Sequence, residues 1–335
     1  EPPAQLQESP PSQGEIFRCP CKGCNYISKH DNCTGDVNNC PCDCGICADK
    51  SSSKKEPSYK EEEEDSEDKE DEEDYSDVDF DETLKVKIGG KSKTYDTYDL
   101  ICQIVQNEMG SSFHQEALKA QAVAAYSYIK YNNNQGIAPS VLVKTSVSSP
   151  VKSAVKDVLG EGVYYNGKIC NTTYFSSSAG VTNNAEDVWG GRLPYLVSVD
   201  AQEDEDNKYY GATVKISQKD MAKYIKNYLG VNPEDYGDPE EWIEDVSTFD
   251  NDMYVSSVQV AGKKITGRQF RESLLGSRIY SHAFEVDFDG DNFVFTTYGY
   301  GHGVGMSQLG AQALAQDGED YEEILEHYYT GVSVR

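Results

Sequence analysis

Four stretches of the chain carry more polar and special residues than packing requires. The run Gln106-Asn107-Glu108-Met109-Gly110-Ser111-Ser112-Phe113 ends an apolar helical pattern with a single carboxylate. A glutamate there is partly taken out of water, which raises its pKa and lets it hold a proton for general-acid work. On periodicity alone it also reads as an ordinary helix-end glutamate. The alanine-rich stretch 116–128 permits close helix packing and is interrupted by the polar heads of Lys119 and of Gln121, a substrate-contact candidate. Lys119 would lie one turn along, aimed at the glutamate to hold charge or orientation; a solvated lysine on an outer face is the plainer alternative. Ser176, Ser177 and Ser178, followed by the loop Trp189-Gly190-Gly191, suit a sugar. Hydroxyls bond its edges and an aromatic plane covers its apolar face; a serine-rich turn beside a core tryptophan has the same composition. In Gly299-Tyr300-Gly301-His302-Gly303-Val304-Gly305-Met306-Ser307-Gln308, alternating glycines imply close backbone approach or positive φ around one histidine. His302, Ser307 and Gln308 are the substrate-contact candidates there. Neither a dinucleotide fingerprint nor a phosphate loop is present.

These segments need a scaffold, and hydropathy patterning supplies one. Residues 84–88 alternate as a strand and turn at Gly89-Gly90. Helical spacing runs through 98–109, 115–131, 218–229, 267–275 and 319–329, and more weakly through 151–159. Residues 163–165 and 169–175, separated by Asn166-Gly167, predict a hairpin. Strands are expected at 254–260, 282–288 and 292–297. Without a repeating strand–helix–strand rhythm the fold class is α+β, with antiparallel strands.

The 335 residues allow about two domains. With 58 acids against 30 bases the net charge is −28, which excludes sequence-independent nucleic-acid binding. Residues 56–82 alone hold 17 acids and two lysines. The expected organisation is a Cys-rich segment over 1–50, an acidic, extended and disordered linker over 51–82, and one folded domain over 83–335. The first segment contains Cys19, Cys21, Cys24, Cys33, Cys40, Cys42, Cys44 and Cys47. With few large apolar side chains it needs cross-links or metal. Disulfides suit an oxidising compartment, whereas the repeated C-x-C-x-x-C spacing of Cys19, Cys21, Cys24 and of Cys42, Cys44, Cys47 suits structural zinc. Cys102 and Cys170 sit in apolar stretches and read as buried small hydrophobes. No apolar run is long enough to span a bilayer. The chain opens Glu-Pro-Pro-Ala, so any membrane anchor would come from a removed segment ahead of it.

Taken together, the four segments resemble the SpoIID/LytB family of bacterial cell-wall proteins. Gly301 to Gln308 is similar to that family's G-H-G-V-G-M-S-Q signature, and Glu116 to Ala125 to its E-A-L-K-A-Q-A-V-A-A stretch. Val188-Trp189-Gly190-Gly191 with Pro194-Tyr195-Leu196 resembles its W-G-G…P-Y-L segment, and Gly267-Arg268 with Arg271, Leu274, Arg278 and Ser281 its G-R…R…L…R-S run. The likeness covers about residues 84–335 in the family's order. It implies an extracytoplasmic lytic transglycosylase acting on peptidoglycan glycan strands stripped of stem peptides by an amidase partner. It places the catalytic acid on Glu108 and the family lysine on Lys119. No cofactor is required for that chemistry. The other reading is a non-catalytic peptidoglycan-binding or amidase-enhancing protein. Three departures stand out: Gly110 replaces the family's proline, Tyr126 replaces its arginine, and residues 135–155 lack the histidine and cysteines of the zinc site in sporulation members.

Overall fold

The computed structural model describes residues 80–335, together with an antiparallel pair of two-residue strands, Phe17–Arg18 and Ile27–Ser28. The candidate ligands Cys19, Cys21, Cys24, Cys42, Cys44 and Cys47, and the acidic stretch up to residue 79, lie outside the described residues. Residues 80–335 are α+β. They open with a hairpin, β1 (Thr83–Ile88) and β2 (Lys91–Asp96), turned by Gly89 and Gly90 with positive φ. Asp96 caps α1 (Thr97–Glu108) by accepting from the Asp99 N–H. His114 caps α2 (Gln115–Asn134), and Pro150 sits in the first turn of α3 (Ser149–Asp157). The helix α2 is buried on nearly every side, as its alanines allow, and forms the axis of the first core. Leu100, Ile104 and Val105 of α1, Val151 and Val155 of α3 and Leu118, Val123 and Ile129 of α2 meet there.

Next come β3 (Val163–Tyr165) and β4 (Lys168–Ile169), a hairpin shorter than the sequence pattern implies. Tyr174–Phe175, β5, is not its continuation. It leaves to pair in parallel with Met306–Ser307 more than 130 residues on, a pairing that no local pattern encodes. The short helix α4 (Ala185–Trp189) follows, ended by Gly190 in the left-handed conformation. A second core then forms around Trp242, Phe270, Phe284, Phe293 and Phe295. Its elements are β6 (Ala212–Ser217), α5 (Gln218–Leu229), β7 (Ile243–Thr248), β8 (Val255–Val260), β9 (Lys263–Thr266), α6 (Gly267–Gln269), β10 (Phe284–Phe288) and β11 (Asn292–Thr297). The α6 turn runs into a π-helical turn, Phe270–Leu274, where a plain helix is expected. The strands make two antiparallel three-stranded sheets, β9-β8-β7 and β10-β11-β6. The chain returns to the first core through β12 (Met306–Ser307), α7 (Gln308–Asp317), α8 (Tyr321–Tyr328) and β13 (Ser333–Val334). Glu82, assigned from its charge to the linker, is part of the fold: it ion-pairs with Lys130 and accepts from the Tyr126 hydroxyl at 2.6 Å.

Candidate active site

Glu108 is the last residue of α1. Burial disfavours its charge and raises its pKa above the ordinary carboxylate value; hydrogen bonds from Gln308 and Asn107 pull it partly back. The negative end of the helix dipole adds to the upward push. Gln308 approaches from the start of α7, 200 residues along the chain. Its Nε2 donates to Glu108 Oε2 at 3.4 Å and to Gln121 Oε1 at 3.2 Å. Gln121, on α2, is fully buried, and its own Nε2 has no hydrogen-bond partner. Three helices thus converge on one carboxyl group. A further tie, the His114 N–H donating to Gln312 Oε1 at 2.6 Å, fixes α2 against α7.

The glycine loop that precedes Gln308 adopts the backbone expected of it. Gly299, Gly301, Gly303 and Gly305 all have positive φ, and each also permits a close contact that a Cβ would block, with Phe175 at Gly301 and Tyr254 at Gly303. A Cβ on Gly299 would collide with the carbonyls of Ser177 and Ser178, and one on Gly305 with the carbonyl of Thr173. The His302 ring lies between Phe175 and Trp189, with centroids at 5.4 and 5.2 Å. Its Nδ1 accepts from the Val304 N–H at 3.2 Å, which leaves the proton of the neutral ring on Nε2. Trp189, at the end of α4, keeps part of its indole exposed.

Several expected site residues fall elsewhere. Lys119 does not face Glu108. Its ammonium pairs with Glu116 at 2.9 Å and Asp157 at 3.5 Å, and no ion pair joins it to Glu108 among the described residues. Two residues from Gln121 on a helix, it points some 200° away, toward those nearer carboxylates. Burial lowers its pKa, but Glu116 and Asp157 outweigh that and hold it above its ordinary value. Ser178 is fully buried, its hydroxyl donating to the Ala201 carbonyl. Ser307 is fully buried as well and caps α7 through the Gly310 N–H. Both are framework rather than ligand-facing. Ser177 forms a two-way backbone bridge with Tyr300, and its buried hydroxyl lacks a partner. Ser176 is the partly exposed serine of the three; its carbonyl accepts from the Leu309 N–H. Asn107, Phe175 and Gln312 also touch the site, although their types and spacing do not mark them, and Asp204 lies behind it. That aspartate sits in the acidic run 200–206. Among the described residues no group of three or more His, Cys, Asp or Glu is placed to hold a metal ion.

The profile of the SpoIID family, described as stage II sporulation protein, matches residues 90–177. That span includes Glu108, Lys119, Gln121, Ser176 and Ser177. Stage II sporulation protein D of Bacillus subtilis (strain 168) is 31% identical over 262 residues, which cover 70% of this chain and 73% of that protein. This chain belongs to the SpoIID family. Stage II sporulation protein D of Bacillus amyloliquefaciens matches to the same extent. The amidase enhancer of Bacillus subtilis (strain 168) is 27% identical over 282 residues, 69% of this chain and 39% of its own length. Two departures of this SpoIID chain have structural counterparts. Gly110 has φ +79°, a conformation closed to the proline it replaces. Tyr126 takes the arginine position and spends its hydroxyl on Glu82 rather than on the site.

Proposed function

We propose that this protein is an extracytoplasmic lytic transglycosylase that cleaves peptidoglycan glycan strands with Glu108 as the sole acid and then the base. The observation that carries this reading is the environment of Glu108. Its pKa is raised by burial, and no charge from a neighbouring acid is among the causes. Hydrolysing glycosidases normally use a carboxylate pair. A lone protonated carboxyl suits a different route. Glu108 gives its proton to the glycosidic oxygen as the bond to C1 of the N-acetylmuramic residue breaks. The resulting carboxylate then takes the proton of that sugar's 6-hydroxyl, whose oxygen bonds to C1 and closes a 1,6-anhydro ring. The nucleophile is already tethered to the reacting sugar, so no second carboxylate is needed to activate water. Trp189 supplies a ring face for a sugar and is backed by the buried His302 ring, Ser176 supplies an accessible hydroxyl, and Gln308 orients the acid.

The test is incubation with purified stem-free glycan strands, read by mass spectrometry for anhydromuramyl ends. Glu108→Gln is expected to lower the rate by about 100-fold or more, the usual span for general acid–base catalysis. Undiminished cleavage by that variant would remove Glu108 from the chemistry. The likeness to the amidase enhancer favours a second reading, a glycan-binding protein that stimulates an amidase. Strand binding without cleavage, together with faster stem-peptide release by an added wall amidase, would establish that reading instead.

A further inference from the structure

We propose that Asp204 is a positioning residue of this site, holding Gln308 against Glu108 through Ser307. Asp204 ends a short helical turn, Gln202–Asp204, and is fully buried despite its acidic neighbours in sequence. Its Oδ1 accepts from the Ser307 hydroxyl at 2.9 Å, and its Oδ2 accepts from the Ser178 N–H at 2.9 Å. One carboxylate therefore ties together the segments that follow β5 and form β12, whose two-residue ladder is too short to fix itself. Ser307, oriented in this way, accepts from the Gly310 N–H at 3.1 Å and caps α7. The first residue of α7 is Gln308, the donor to Glu108. Gly310 keeps this approach open, since a Cβ there would meet the Tyr328 hydroxyl and come within 3.2 Å of Asp204 Oδ2.

The chemistry requires a carboxylate at position 204. Both of its oxygens face donors, one O–H and one N–H, and charge-assisted bonds of this kind are the stronger sort. Asparagine offers a single acceptor, so its amide would reverse the bond to Ser307 and leave the buried serine proton without an acceptor. The start of α7 would then shift, and Gln308 with it.

The decisive variant is Asp204→Asn, with Ser307→Ala removing the same bond from its other end. The primary readout is the titration of the Glu108 carboxyl by carbon-13 NMR, assigned by its absence in Glu108→Gln. Loss of the Gln308 donor is expected to move the Glu108 midpoint upward in both variants, a change that mere loss of stability does not produce in the folded fraction. The rate inference alone rests on the proposed glycan cleavage. On stem-free strands kcat is expected to fall about 10- to 100-fold with KM nearly unchanged, the scale of a misplaced catalytic group. The effects of the two variants on the Glu108 midpoint should combine to less than their sum, because both break the Asp204–Ser307 bond. An unshifted Glu108 midpoint in the variants, or effects that simply add, would overturn the proposal. Should Asp204→Asn fail to fold, Ser307→Ala tests the same bond by the same titration. If the wild-type protein cleaves no strands, the functional reading fails while the titration still decides the role of Asp204.

Discussion

At the scale of single residues, the molecule accepts an unfavourable environment around Glu108. Its raised pKa means that the folded state binds this proton more tightly than the unfolded chain does. The sign follows: the contribution of Glu108 to stability is fully present below the ordinary carboxylate pKa and is lost as pH rises through the folded-state value. Glu108→Gln is therefore expected to melt higher than wild type at neutral pH, with the difference vanishing near the ordinary glutamate pKa of about 4. A thermal-melt series across that range checks it, and equal melting temperatures at neutral pH would contradict it. On the proposed mechanism the same proton sets the activity profile: the acid step requires protonated Glu108 and weakens as pH climbs past its pKa. Lys119 belongs to the opposite class. Its partners Glu116 and Asp157 lie away from the acid. Lys119→Met is expected to leave the cleavage rate intact and to cost about 0.2–1 kcal/mol, the worth of a partly exposed ion pair; a rate loss comparable to that of Glu108→Gln would bring the lysine back into the chemistry.

At the scale of elements, the glycine loop decides whether α7 can reach α1. Gly305 has φ +83°, and a side chain there would meet Thr173 in the strand-to-strand approach of β5 and β12. Gly305→Ala is expected to cost about 1–2 kcal/mol from left-handed strain alone, a loss of several degrees in Tm, with the collision adding to it. An unchanged melt would show that the loop does not carry this strain. Elements with strong local patterns are readable from sequence. The apolar spacing of α1, α2 and α5 and the alternation of β1 and β11 each report a one-sided or enclosed burial that the structure realises. Elements whose existence depends on distant partners are not. The strands β7 and β9 are largely exposed and rich in charged residues, so neither shows alternation. The parallel pairing of β5 with β12 spans two residues and leaves no periodic trace. Motif content locates Glu108 and Gln308 separately, yet their contact and the concealed role of Asp204 emerge only when α1, α2 and α7 are packed together.

At the scale of the whole molecule, residues 80–335 hold two large apolar cores, one around α2 and one built from the two three-stranded sheets with α5, and a small cluster around Tyr254. Cys102 and Cys170 are free and buried in the first, their thiols pushed up to about 12 by burial, as expected of small hydrophobes rather than reactive groups. The candidate site draws on both ends of the first core and on the loop that returns from the second, so its chemistry depends on the entire folded unit. The most direct test of that chemistry is digestion of stem-free glycan strands in water enriched in oxygen-18, with the new chain ends weighed by mass spectrometry. Internal attack by the 6-hydroxyl gives anhydromuramyl ends that carry no heavy oxygen. Reducing muramic ends labelled with oxygen-18 would mean that water is the nucleophile, and the single-carboxylate mechanism would be wrong.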